Sequence, residues 1–282
     1  AMDMLAEKCG IDPFDFREMN LLQWEKGTTA PLGVMPSGYA PEVFPLHEMM
    51  KKARPYYEEM KKEAAAKSTD KVKFGVGVSI GIYNSNDDGA DEAASNIELT
   101  KDGVIIYNTW EDHGQGADIG CLGTAHEALK PLDLRPEQIK MVLSDTAKAP
   151  NSGAAAASRS QVMVGNAIVD SCKKLLDAMR KADGTYRTYD EMAAEGIPTK
   201  YQATYSNTTI PGICRLDPNT GIGDPTPAYT YCLNLAEVEV DTATGKVRVL
   251  RFTCVDDVGK IGNIDAVNGQ AYGGISHCIG FA

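Results

Sequence analysis

Residues 71–83 alternate without a break. Val72, Phe74, Val76, Val78, Ile80 and Ile82 share one parity, and Lys71, Lys73, Gly75, Gly77, Ser79 and Gly81 share the other. A period of two sends successive side chains to opposite faces, so the stretch reads as a strand with one buried apolar face. On a helix the same apolar residues would be scattered around the axis. The opposite face is almost bare, which lets something come close to the backbone. A helix lying flat on the sheet and a bound ligand both satisfy that pattern.

Two hairpins extend the sheet content. Asn96–Thr100 and Val104–Thr109 are joined by Lys101-Asp102-Gly103, and Tyr229–Val240 and Lys246–Asp256 by a turn at Asp241–Gly245. Ile139–Leu143 and Thr199–Tyr205 read as further strands. Helical segments separate them. Met2–Cys9 is stopped by Gly10, and Asp12-Pro13 supplies N-cap and N1 of a helix to Leu21. Helical spacing over Pro45–Ala66 is interrupted at Pro55, where a kink or restart is expected. Ala154–Ala157 opens a helix to Ala182, with Val164, Ile168, Cys172, Leu175 and Met179 on one face. Asp190–Gly196 is a short helix, and Asn268-Gly269-Gln270 begins a last one over Ala271–Ala282. Loops are expected at 27–41, at the acidic stretch 84–94, and at 206–228, whose four prolines mark a segment that covers or docks something.

The fold class is therefore α+β. A short internal echo divides it: each half has a hairpin, a loop rich in Asp or Gly, and a helix whose first turn carries Gly-Gln, at Gly114-Gln115 and Gly269-Gln270. The expected organisation is a helical segment over 1–70, a first α+β subdomain over 71–198 and a second over 199–282, with a ligand held at helix starts between them.

Composition bounds the partners. A net charge of −11 over 282 residues repels phosphate and argues against a broad nucleic-acid or anionic-membrane surface. The seven cysteines are odd in number, widely spaced and without a CxxC pair, so neither an iron–sulfur or zinc pattern nor a disulfide framework is expected. They read as buried thiols of a cytoplasmic protein. No signal peptide or apolar run of membrane-spanning length occurs in the sequence.

The candidate chemistry lies at three helix starts. The first is Trp110-Glu111-Asp112-His113-Gly114-Gln115-Gly116-Ala117-Asp118, where a strand runs into a Gly-rich turn that opens a helix. Such a turn presents free N–H groups and a positive dipole end, which suit an anion or a strongly polar ligand. The second is Ala156-Ala157-Ser158-Arg159-Ser160-Gln161, with two hydroxyls and a guanidinium; Arg159 suits a phosphate or a carboxylate partner equally. The third is Asn268–Gln270. Gln115 is either a ligand-facing amide or a cap of its own turn, and His113 either an acid–base group or a structural turn residue. No nucleophile elbow, Walker loop, HExxH or calcium loop is present in the sequence. The residues alone thus reach a protein that binds a large polar or phosphorylated ligand, and no reaction.

The three segments together carry a resemblance. Trp110–Cys121, Ser158–Ala167 and Asn268–Gly280, with Gly10-Ile11-Asp12-Pro13, Arg17 and Asn20, resemble the xanthine oxidase family of molybdenum hydroxylases, in its aldehyde oxidoreductase branch. The likeness runs through the whole chain. It implies a molybdenum–molybdopterin cofactor, in cytosine dinucleotide form in many bacterial members, with the metal held by the pterin dithiolene and by no protein side chain. It implies that Gln115 hydrogen-bonds the apical oxo group, with Gly114, Gly116 and Ala117 in close backbone contact. Ala156, Ala157, Ser158, Arg159, Ser160 and Gln161 would hold the pterin and phosphate end, where relatives often have Gly-Gly in place of Ala156-Ala157. Gln270 would lie near the pterin and His113 near the metal.

The family's catalytic base, a glutamate in a Gly-x-Gly-Glu segment, is expected beyond Ala282. No catalytic residue is expected within this stretch, which by itself should not turn over. The parent is expected to oxidise an aldehyde or N-heterocycle with water-derived oxygen, to use [2Fe–2S] clusters carried by an iron–sulfur domain outside this chain, and to form a homodimer. The alternative is a non-catalytic cofactor-binding or assembly subunit of a naturally split molybdenum hydroxylase.

Overall fold

In the computed structural model the strand expected at 71–83 is β1 (Val72–Ser85). The described residues are 1–23, 35, 37–38, 41, 43–85, 91–210, 213–226 and 228–282, so parts of the expected loops at 27–41, 84–94 and 206–228 lie outside them. Before β1 come α1 (Met2–Cys9), α2 (Pro13–Met19) and α3 (Leu46–Lys67). After it come β2 (Glu92–Thr100), β3 (Gly103–Asn108), α4 (Ala117–Ala128), β4 (Ile139–Leu143), α5 (Gly165–Met179), α6 (Tyr189–Glu195), β5 (Lys200–Ser206), β6 (Ala228–Asp241), β7 (Val247–Asp257) and α7 (Ile264–Phe281).

Two sheets carry two cores. One has the order β1-β6-β7, all antiparallel, with β1 paired to β6 from Val72↔Asp241 to Ser85↔Ala228. Its apolar face packs Val78, Leu233 and Leu235 against Phe14, Met50 and Met60 of α2 and α3. The bare face stays open: Gly77 and Ser79 are exposed, and a Cβ added at Gly77 would meet no atom within 4 Å. At the end near Tyr83 and Cys232, α7 walls a cleft of about 510 Å³.

The second sheet has the order β4-β3-β2-β5, with β3 and β4 parallel and the other pairs antiparallel. A parallel pair needs a crossover, and α4 supplies it. With α5 it buries Ile97, Ile106, Cys121, Met163, Ile168 and Leu175.

The fold is thus α+β with two sheet-and-helix units, but the sheets do not follow the division expected after residue 198. β1 joins the β6–β7 hairpin, and β5 joins β2. Periodicity shows that a segment is a strand and which face is apolar; it does not name the partner whose ladder the strand completes.

Three helix boundaries also differ. Pro55 lies inside a continuous α3. It is exposed, on the side where a helix wrapped over a core bends away from solvent and can lose a hydrogen bond. The helix expected from Ala154 starts later, because Ala157 and Ser158 hold φ of 45° and 57°, and its first turn, Ser160–Val164, is a π turn. The last helix starts earlier. Asn263 caps it by accepting from the Ala266 N–H at 2.9 Å, so Gly269-Gln270 falls in the second turn and not at the start.

The expected 206–228 loop does dock: the Gly223 N–H donates to the Ser37 carbonyl at 3.1 Å. No described helix is long and apolar enough to cross a membrane. Cys121 and Cys172 are buried, whereas Cys9, Cys214 and Cys278 are exposed, so burial of all the thiols does not hold.

Candidate cofactor site

The end of β3 sets the first wall. Asn108 is buried; its Oδ1 accepts from the Trp110 N–H at 2.8 Å, and its Nδ2 donates to Cys121 Sγ at 3.4 Å. This pins Trp110 against α4, where a Cβ at Gly120 would sit 3.4 Å from the indole.

The turn beyond it is closed by its own side chains. Asp112 Oδ1 accepts from the N–H groups of Gly114 at 2.7 Å and Gly116 at 3.4 Å, and Oδ2 from Asp118 at 3.2 Å. Gln115 Nε2 donates to the Glu111 carbonyl at 2.9 Å, while its Oε1 accepts the His113 N–H. The turn is possible because Gly114 and Gly116 take φ of 102° and 84°. The α4 start that the sequence offers to an anion is therefore occupied by the carboxylate of Asp112, and Gln115 is drawn inward as a cap. The N–H donor of Gly114, with those of Asp118 and Gly116, holds the Asp112 carboxyl below its ordinary value.

That shift gives a pH dependence. A carboxylate lowered in the folded state contributes stability that is present above its ordinary value and is lost as pH falls through the lowered one. In Asp112→Asn this component should be absent. Thermal midpoints of wild type and variant, measured as a pH series, should differ at neutral pH and converge in acid. A constant offset at all pH values would contradict the cap.

The second wall is the loop 152–161. Glu111 Oε2 accepts the Ala155 N–H at 3.0 Å, which ties this loop to the first turn and lowers the Glu111 carboxyl; His113 Nε2 lies 3.5 Å from the same oxygen. The side chain of Arg159 turns away from the loop's open side, onto Asp91. Of the two partners its sequence allowed, it takes the carboxylate. The N–H groups of Ala156, Ala157 and Ser158 and the hydroxyls of Ser158 and Ser160 donate to no group among the described residues. Successive free N–H groups on left-handed backbone form a concavity suited to an anionic or polar ligand. Two non-glycine residues in that conformation cost about 1–2 kcal/mol each, and such strain, like π turns, gathers at functional sites. Gln161 lies across the glycines of the neighbouring helices: its Oε1 is 3.6 Å from a Cβ placed at Gly120, its Nε2 3.4 Å from one at Gly165.

The third wall is α7. A Cβ at Gly116 would lie 3.7 Å from the Ala266 Cβ, so the second and third segments both adjoin the first. Gln270 lines the cleft between α7 and the first sheet, with Tyr83, Cys232, Asp256 and Val267. The first turn thus adjoins the 152–161 loop through Glu111 and Ala155 and the α7 start through Gly116 and Ala266, with Gln270 one turn further along α7. The remaining histidines lie elsewhere: His126 Nε2 pairs with the Leu134 carbonyl and His47 Nε2 with that of Leu22, and His277 is exposed on α7. Among the described residues no group of three or more His, Cys, Asp or Glu side chains is placed to hold a metal ion.

Sequence reasoning missed Asp91, Glu111 and Asp112 as organisers of the site. Asp112 carried a local signal, an Asp two residues before a glycine, which favours capping of its own turn. Asp91 carried none, being 68 residues from the arginine it binds.

Comparisons with known proteins identify the family. The molybdopterin cofactor-binding domain family matches residues 50–282. An aldehyde oxidoreductase of Megalodesulfovibrio gigas is 46% identical over 282 residues, which are 100% of this chain and 30% of that protein. A probable hypoxanthine oxidase of Escherichia coli is 27% identical over 99% of this chain and 30% of its own length. Among solved structures, the aldehyde oxidoreductase of Desulfovibrio desulfuricans superposes with a TM-score of 0.91 at 48% identity, over 100% of this chain and 30% of its own. The chain spans under a third of the length of these relatives. With a family match over most of its residues, the chain belongs to the molybdopterin cofactor-binding domain family.

Proposed function

We propose that the chain is the cofactor-holding part of a molybdenum hydroxylase that oxidises aldehydes, with N-heterocycles as the second substrate class, using water-derived oxygen, and that its cofactor is the molybdopterin cytosine dinucleotide. The observation that carries this reading is the set of uncommitted donors at 156–160 on strained backbone, in a member of a molybdopterin-binding family. The residues fit such a group: a phosphorylated pterin presents acceptors to N–H and hydroxyl donors and an amide-rich edge to Gln161 and Gln270. The relative with 46% identity is an aldehyde oxidoreductase, which favours the aldehyde class.

When bound, the cofactor supplies the redox and oxygen-transfer chemistry. The chain's own residues bind, orient and exclude. The N–H groups of Ala156, Ala157 and Ser158 and the hydroxyls of Ser158 and Ser160 bind the phosphate and pterin end. Gln161 and Gln270 orient it, and Gly114, Gly116 and Ala117 let it approach the backbone. Gln115 and His113 stand at the metal end; for Gln115 to reach a ligand it must release the Glu111 carbonyl or the His113 N–H. The catalytic glutamate, the [2Fe–2S] clusters and the dimer contacts belong to the rest of the longer cytoplasmic protein.

Metal and nucleotide analysis of the full-length protein tests the reading. Molybdenum and a cytosine nucleotide released by acid hydrolysis are expected. A different nucleotide would overturn the cytosine form, and a purified protein without molybdenum or pterin would overturn the proposal.

A further inference from the structure

Arg159 looks, by sequence, like a phosphate ligand. Its environment leaves it nothing to offer one. Both its Nε and Nη2 donate to the Asp91 carboxylate, the latter at 2.9 Å. Nη2 also donates to the Glu92 carbonyl at 2.7 Å, and Nη1 to the carbonyls of Ser152 and Ala154, the latter at 3.2 Å. These contacts use all five guanidinium N–H groups. The side chain is 11% exposed and that of Asp91 19%.

The clamp reaches the strained loop directly. The guanidinium lies flat on Gly153, where an added Cβ would sit 2.5 Å from it and where φ is +74°. Its carbonyl partners, Ser152 and Ala154, open the segment that leads into the left-handed Ala157-Ser158 pair. At the other end Asp91 is anchored to both neighbouring strands. Its Oδ1 accepts from the Glu92 N–H at 2.7 Å, its N–H donates to Asn207 Oδ1 at 2.8 Å, and its carbonyl accepts from Ser206 Oγ at 3.1 Å.

We propose that Arg159 and Asp91 are positioning residues that hold the 152–159 loop in the one conformation that leaves the N–H groups of Ala156, Ala157 and Ser158 free for the cofactor. This rests on the reading of the loop as a molybdopterin site. A lysine cannot replace the arginine, because one ammonium with three donors cannot span a carboxylate and three carbonyls.

The test uses the full-length protein carrying Asp91→Asn, Arg159→Lys or Arg159→Met, with molybdenum and released nucleotide measured per chain, and with far-UV circular dichroism and melting midpoint alongside. Removal of a group that orients the direct ligands of a metal site typically costs about 10- to 100-fold. We expect a fall of about tenfold or more in cofactor content in Asp91→Asn and Arg159→Lys, with the fold retained. A direct phosphate contact by Arg159 predicts a different pattern: Asp91→Asn would bind as well as wild type, and Arg159→Lys would keep partial loading. That pattern overturns the proposal, as does wild-type cofactor content in all three variants. If Arg159→Met does not fold, the two milder variants decide. If Asp91→Asn also loses its fold, the pair is a general stability element and the proposal fails. A wild-type protein devoid of molybdenum overturns the cofactor reading itself, whereas a loaded wild type with loaded variants overturns only the clamp.

Discussion

Trp110→Ala should lower the unfolding free energy by about 3–5 kcal/mol, the range for truncating a large buried aromatic. Trp110 is 4% exposed and belongs to the core of the four-stranded sheet. Its indole fills the space left by Gly120, and its backbone N–H donates to Asn108 Oδ1. A cavity there cannot close easily, because the wall opposite is the backbone of α4. The consequence reaches the site as well: the same glycine lies beside Gln161, so both the first and second walls lose their common support. Urea unfolding of the full-length protein gives the free energy, and hydrogen exchange at 117–122 and 160–165 gives its location. A loss within about 0.5 kcal/mol, the range of ordinary surface changes, would show that the indole does not brace α4.

Gly103→Ala should cost at least about 3 kcal/mol, which is large for the addition of one methyl group. Gly103 sits at the turn between β2 and β3 with φ of +144°, and an added Cβ would lie 2.0 Å from the Gln138 carbonyl oxygen. The obstacle is backbone, so no side-chain rotation relieves it. Gln138 immediately precedes β4, whose first residue pairs with Val104, so any retreat pulls the parallel β3–β4 ladder apart. Asp102→Ala, at the neighbouring exposed turn position, is the control and should fall within about 0.5 kcal/mol of wild type. Thermal or urea midpoints of the two variants decide. Equal effects would mean that the turn is free to shift.

The two predictions share a cause with the clamp at Arg159. Each of these places is held by a contact between different elements of the fold. Asp112 and Glu111 act the same way, one closing the α4 start and the other fastening the 152–161 loop to it.

Much of the fold was legible because it follows local rules. The alternation over 71–83 fixed β1 and its apolar face, the Asp-Gly and Asp–Gly-bounded turns fixed both hairpins, and Asp12-Pro13 fixed the start of α2, whose Asp12 carboxylate accepts the Phe14 N–H at 2.7 Å. The three segments of the site were also visible, as glycines, hydroxyls and amides at strand-to-helix transitions. Helix starts were less legible. It is Asn263 and not Asn268 that caps α7, and Ala157 and Ser158 give no sign in their side chains that their backbone is left-handed.

By itself, then, the sequence determined the α+β class, the elements and their buried faces, the net acidic charge, and the resemblance that led to the cofactor family. Periodicity, capping and charge act over a few residues, and they are written in the order of the chain. Only the tertiary structure decided that β1 closes onto β6, that β5 closes onto β2, and that the strands so exchanged bring Asp91 to Arg159. It also decided which helix start stays open: Asp112 fills the first, and the strained loop at 156–158 keeps its donors free. Whether a donor is spent or available depends on which acceptor the folded chain carries to it, and that acceptor can lie anywhere in the sequence.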